Sequence, residues 1–155
     1  WKFDAHEEWG RWLGQRLSRV LTDRIDWERW DRLVPIPMHH RRRASRGFNQ
    51  ALQLAEGVSA ATGIPVLEAL QKHRRTEPQS SLDRDERHRN LRGAFSPNPE
   101  TPIPPGLDSV LVVDDIYTTG STLRTAGQVL LDQELQTVAG LVLARTLGEA
   151  PGPSG

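Results

Sequence analysis

Asp114 and Asp115 stand side by side after the aliphatic run Val110, Leu111, Val112 and Val113, and Thr118, Thr119, Gly120, Ser121 and Thr122 follow closely. The second group offers consecutive backbone N–H donors, hydroxyls and a permissive glycine at what reads as a helix start. Such a turn favours a phosphate monoester, through free amides and through the helix dipole. The two carboxylates cannot bind phosphate, but they accept hydrogen bonds from neighbouring hydroxyls. A ribose 5-phosphate carries both partners, with its phosphate for the turn and its 2′ and 3′ hydroxyls for the aspartates.

The elements that must position these groups can be read from periodicity. Residues 110–113 lack alternation, as in a parallel strand buried on both faces, and the strand is expected to deliver the acidic pair at the sheet edge. Leu123, Ala126, Val129 and Leu130 then fall at helical spacing, predicting a helix to about Leu131. Receiver domains also carry a hydrophobic strand ending in paired acids. They begin with that strand, however, and need about a hundred residues after it, whereas only 33 residues follow Thr122.

Elsewhere, Trp9, Trp12, Leu13, Leu17, Val20 and Leu21 predict an amphipathic helix, with Arg16 a misfit inside its apolar arc that must snorkel or find a partner. All five tryptophans lie within the first thirty residues, so this region is expected to hold much of the buried aromatic surface. Leu33, Val34 and Ile36 predict a short strand ended by Pro35 and Pro37. Phe48, Ala51, Leu52, Ala55 and Val58 predict a helix closed by Gly63, with a strand near 65–67. Gln71 to Arg92 is polar throughout, with seven basic and four acidic residues, and reads as a mobile functional loop. A proline-rich connector over 97–105 and a last strand over 138–143 complete the pattern. Strands alternating with helices imply a three-layer α/β fold with a mostly parallel central sheet, one domain over 1–147 and a disordered tail over 148–155.

The absence of cysteine fits a reducing cytoplasm. No apolar run approaches the roughly 20 residues of a membrane helix. Basic and acidic residues balance at 20 each, so the whole chain has no electrostatic bias toward nucleic acid. Because the sequence begins at Trp1 rather than methionine, it is read as a piece of something longer.

VLVVDDIYTTGST over 110–122 resembles the phosphoribosyl pyrophosphate (PRPP) signature of type I phosphoribosyltransferases. VPIPMHHRRRASRGFNQA over 34–51 resembles one branch, the ComF family of competence-associated proteins, with its VPVP…RGFNQ block. Thr76, Pro78, Gln79, Leu82, Arg87, Asn90, Leu91, Gly93, Ala94 and Phe95 resemble that family's TxxQ…L…R…N…GAF block. That family often bears an N-terminal zinc ribbon, absent here, for which the bunched tryptophans could be the docking place.

The resemblance implies a type I phosphoribosyltransferase fold with a flexible hood loop that binds Mg·PRPP, magnesium being held through PRPP rather than by protein ligands. The 5′-phosphate falls to Thr118, Thr119, Gly120, Ser121 and Thr122, and the ribose to Asp114 and Asp115. Pyrophosphate falls to Pro37, Met38, His39, Arg41, Arg42 and Arg43, with His40 in the same turn. The hood loop supplies Lys72, Arg74, Arg75, Thr76, Gln79, Arg87 and Asn90. Asp115, Asp114, Arg74 and Lys72 are the catalytic candidates, while Gly47 and Asn49 read as structural. The expected activity is phosphoribosyl transfer to an unidentified acceptor, with pyrophosphate released, in a protein serving DNA uptake. Two alternatives stay open: a non-catalytic PRPP or nucleotide sensor that contacts competence helicase or recombination-mediator proteins, and a single-stranded DNA binder. The expected location is cytoplasmic, at the inner face of the membrane through partners.

Overall fold

The computed structural model describes residues 2–38, 47–73 and 93–145. Helix α1 (Lys2–Val20) leads through a 3₁₀ turn (Trp27–Arg29) into strand β1 (Arg32–Pro35). Helix α2 (Gln50–Thr62), strands β2 (Leu70–Lys72) and β3 (Phe95–Pro97), strand β4 (Ser109–Tyr117), helix α3 (Ser121–Leu131) and strand β5 (Thr137–Arg145) follow. β1, β4 and β5 form a parallel sheet with β4 in the centre, and β2 pairs with β3 as a separate antiparallel ribbon. Val66 adds a single parallel bridge to Leu33 where a strand over 65–67 is predicted.

Alternation along β4 sorts the core into two layers. Val110 and Val112 pack with Val34, Ala126, Leu130 and Phe95 on the side of α3 and the ribbon. Leu111 and Val113 pack with Leu33, Leu54, Ala55 and Val58 on the side of α1 and α2. The sheet is therefore covered on both faces, giving the expected three-layer α/β architecture. Its entrance is fixed by Asp31, whose carboxylate accepts the Ser109 amide at 2.8 Å and the Asp108 amide at 3.1 Å. These bonds, the Ser109 amide foremost, hold the Asp31 carboxyl below its usual range.

The N-terminal helix buries only part of the face predicted for it. Trp9, Trp12 and Val20 are 60%, 48% and 73% exposed, and it is Leu13, Leu17 and Leu21 that join the α2 core, with Trp27 and Trp30 partly buried beside them. Glycines line the part that packs. A Cβ on Gly14 would lie 2.9 Å from the Gly57 Cα and the Val58 amide, and one on Gly57 would lie 2.8 Å from the Arg11 carbonyl carbon. Bare backbone thus sets the crossing, and tryptophans cannot occupy it. Arg16 finds its partner in Trp12, its guanidinium 5.4 Å from the ring centroid.

Two further differences bear on the site. β4 does not stop at Val113 but runs on through the acidic pair to Tyr117, with Asp114 opposite Val142. Gln71 and Lys72, which read as the start of a polar loop, lie instead in β2, where Lys72 pairs with Phe95. The ribbon is hidden in the sequence because each strand is only three residues long. Arg74, Arg75, Thr76, Gln79, Arg87 and Asn90, like His39, His40 and Arg41 to Arg43 and the 148–155 tail, lie outside the described residues.

Candidate functional site

The site is assembled at the carboxyl ends of the parallel strands, where open α/β sheets place their ligands. β1 ends at the Pro35–Val113 pairing, and the Ile36 amide donates to the Val113 carbonyl at 2.9 Å. Pro37 and Met38, both half-buried, follow directly after that bond. Asn49 secures the same edge from behind. It is buried, its Nδ2 donates to the Ile36 carbonyl at 3.1 Å, and its Oδ1 accepts the Ala51 amide at 3.2 Å as the N-cap of α2.

Asp114 and Asp115 are half-buried and point to opposite sides of the strand. Asp114 Oδ1 accepts the Asp115 amide at 3.0 Å. Its carboxyl is pushed up to about 6, first by burial and further by the Asp115 charge, with the Asp115 amide and Lys72 pulling the other way. Lys72, at the end of β2, is within electrostatic reach of Asp114, and its ammonium lies 5.3 Å from the Phe95 ring centroid. The fold thus brings the first residue assigned to the hood together with the first aspartate.

A pH dependence follows. Folded Asp114 keeps its proton up to about 6, whereas the unfolded carboxyl, near 3.8, has lost it. The folded state therefore binds the extra proton between these values, and stability falls as pH rises through that window, then levels. Asp114→Asn removes the effect. Its melting midpoint should match the parent near pH 4 and exceed it above pH 6 by about 2–4 °C, taking about 1 kcal/mol after allowance for partial exposure. An equal offset at both pH values would contradict this account.

Beyond β4 the chain turns sharply. Gly120 adopts a left-handed φ of 73° as the N-cap of α3, and the Arg124 amide donates to its carbonyl at 2.9 Å. A Cβ there would lie 2.7 Å from Cζ of Tyr117, so glycine is required both by conformation and by the ring packed against it. Thr119 Oγ1 donates to Ser121 Oγ at 3.0 Å, drawing the hydroxyls together, while Thr118 and Thr119 remain exposed. The first amides of α3 have no intrahelical partner, and that of Ser121 donates to Thr119 Oγ1 at 3.4 Å. Tyr117, with Arg145 opposite it on β5, was missed by sequence reasoning. As the one tyrosine, sitting inside the motif, it could have been singled out.

Among the described residues no cluster of three or more His, Asp or Glu could hold a metal ion, and no helix is long and apolar enough to cross a membrane. The hard carboxylate oxygens of the pair nevertheless suit magnesium carried by a phosphorylated ligand.

A solved structure, of the allosteric regulatory enzyme of purine biosynthesis, superposes with a TM-score of 0.57 over 86% of this chain and 25% of that one, at 20% identity. The fold is that of the type I phosphoribosyltransferases. No protein-family model matches the chain. Competence protein F of Haemophilus influenzae is 32% identical over 145 residues, covering 86% of this chain and 62% of that protein. DNA utilization protein YhgH of Escherichia coli K12 is 36% identical over 118 residues, 76% of this chain and 50% of the relative. Competence protein ComFC of Bacillus subtilis is 32% identical over 120 residues, 74% and 44% respectively. The chain belongs to the ComF family, and it spans about half the length of these curated relatives.

Proposed function

We propose that the chain binds Mg·PRPP, with the 5-phosphate in the Thr118–Thr122 turn, the ribose hydroxyls on Asp114 and Asp115, and the pyrophosphate toward Pro37 and Met38. The observation that carries this reading is the half-buried acidic pair directly preceding a glycine-capped helix start in a phosphoribosyltransferase-like fold. The reaction is displacement of pyrophosphate from C1′ by an acceptor nucleophile. The chain's part is to hold the two groups in line, since positioning supplies most of the acceleration in such a transfer. Magnesium, bound through PRPP, supplies neutralisation of the pyrophosphate charge. Asp114 and Asp115 orient the ribose, and Lys72 offers a cation for phosphate oxygens, its present neighbour Asp114 then being engaged by the sugar. The relatives' names, which speak of competence and DNA utilization, support a role for this chemistry in DNA uptake and use. Release of pyrophosphate from Mg·PRPP on addition of nucleobases and amines tests the transfer. PRPP binding without release would leave a sensor of PRPP.

A second reading is favoured by α1. Trp9 and Trp12 meet edge to face at 5.7 Å, both exposed, with Arg16 over the second ring. Exposed aromatic rings with an adjacent guanidinium are what sequence-tolerant single-strand binding uses. Trp12→Ala should then weaken binding to an oligothymidine at least about fivefold, on the order expected for one lost stacking contact. Binding unchanged by that substitution would remove this reading.

A further inference from the structure

The turn assigned to the 5-phosphate holds no cation of its own. From Ile116 to Leu123 the residues are neutral, and the two carboxylates just upstream repel a phosphate that carries about −1.5 to −2 charge at pH 7. Compensating charge must come from outside the turn. α3 and β5 flank an opening of about 580 Å³ that begins at Tyr117 and contains Arg124 and Arg145. Neither arginine forms an ion pair among the described residues. Arg145 is the better organised. It lies directly opposite Tyr117 in the parallel pairing, and its guanidinium sits 5.4 Å from the centroid of the Tyr117 ring. The same ring packs against Gly120. One aromatic side chain therefore touches both the bend of the turn and the cation on the neighbouring strand.

We infer that Arg145, stacked on Tyr117, is a binding residue for the sugar 5-phosphate, contributed to the turn by the edge strand β5. This rests on the ribose 5-phosphate reading above. The turn supplies amides and hydroxyls; Arg145 supplies the positive charge, with a planar fork suited to phosphate oxygens. Tyr117 acts as a positioning residue, holding the guanidinium extended so that little side-chain freedom is lost when the anion arrives.

Titration of the full chain with ribose 5-phosphate, PRPP and Mg-pyrophosphate tests this. Arg145→Ala should weaken ribose 5-phosphate and PRPP by the same factor, about tenfold for one lost charged contact, and leave Mg-pyrophosphate unchanged. Arg145→Gln, which keeps most of the side chain's bulk, should behave like Arg145→Ala, and Arg145→Lys should retain most of the affinity. Tyr117→Phe should bind as the parent. Tyr117→Leu should reproduce the loss, with Arg145→Ala adding little in that background. Folded Arg145→Ala and Arg145→Gln proteins that bind ribose 5-phosphate like the parent would overturn the assignment, as would an equal loss of Mg-pyrophosphate affinity. A parent chain that binds neither PRPP nor ribose 5-phosphate would instead remove the phosphate site itself, and Arg145's role with it.

Discussion

The double variant Asp114→Asn, Asp115→Asn should fold normally and lose most of the thermal shift that Mg·PRPP gives the parent. A ligand that binds only the folded state at a hundredfold excess over Kd stabilises it by about 2.7 kcal/mol. For a domain of this size that raises the melting midpoint by about 5–10 °C. The two amides keep the shape, and the side-chain carbonyl oxygen of an asparagine at position 114 can still accept the Asp115 amide hydrogen bond that Asp114 Oδ1 accepts at 3.0 Å. They remove the charge that makes carboxylates strong acceptors for sugar hydroxyls. Because burial and the neighbouring acid already push the Asp114 carboxyl up to about 6, neutralising it relieves a cost. The unliganded variant should therefore melt about 2–4 °C above the parent at pH 7, as for Asp114→Asn alone. Retention of the full ligand shift would dismiss the ribose assignment. A variant that failed to fold would make the pair structural.

Gly57→Ala is expected to be the most damaging glycine-to-alanine change among the described residues. Alanine is ordinarily the better helix residue by about 1 kcal/mol, so propensity alone predicts stabilisation. Here the added carbon would sit 2.8 Å from the Arg11 carbonyl carbon and 2.9 Å from its Cα, and backbone of a packed helix cannot rotate aside. Overpacking against fixed backbone costs about 3 kcal/mol, the upper end of the usual range, leaving a net loss of about 2 kcal/mol and a midpoint lower by about 4–8 °C. The displaced α1 would also uncover Leu13 and Leu17 from the α2 core. Thermal melts read the sign directly: a midpoint at or above the parent's would mean that the two helices are not in close contact at Gly57.

How far the sequence could be read depended on whether a residue's role is local. The β4 core, the turn and α3 were legible because unbroken aliphatics, a glycine and helical spacing each report on their own neighbourhood. Gly63 ending α2 with a left-handed φ of 79° is the same kind of signal. The face of α1 was legible only in part: Leu13, Leu17 and Leu21 pack as expected, and the tryptophans do not. Trp9 and Trp12 satisfy the helical period as well as Leu13 and Leu17 do, and the choice was made by Gly14 and Gly57, residues silent in a hydropathy pattern. Lys72 reads as loop for a related reason, since its strand exists only through Phe95, a distant partner. Within the candidate site the acidic pair and the turn were apparent. The Tyr117–Arg145 contact was not, because it depends on the register between β4 and β5.

The ribbon of β2 and β3 has a consequence for the chain's tolerance of change. By pairing Leu70 with Pro97 and Lys72 with Phe95, it brings together both ends of the intervening segment, whatever course that segment takes. The entropy of closing the loop is thereby met by the folded body, and it grows only with the logarithm of loop length. A change that breaks the ribbon, such as Gln71→Pro, would therefore separate those two ends and at the same time release Lys72 from its place near Asp114.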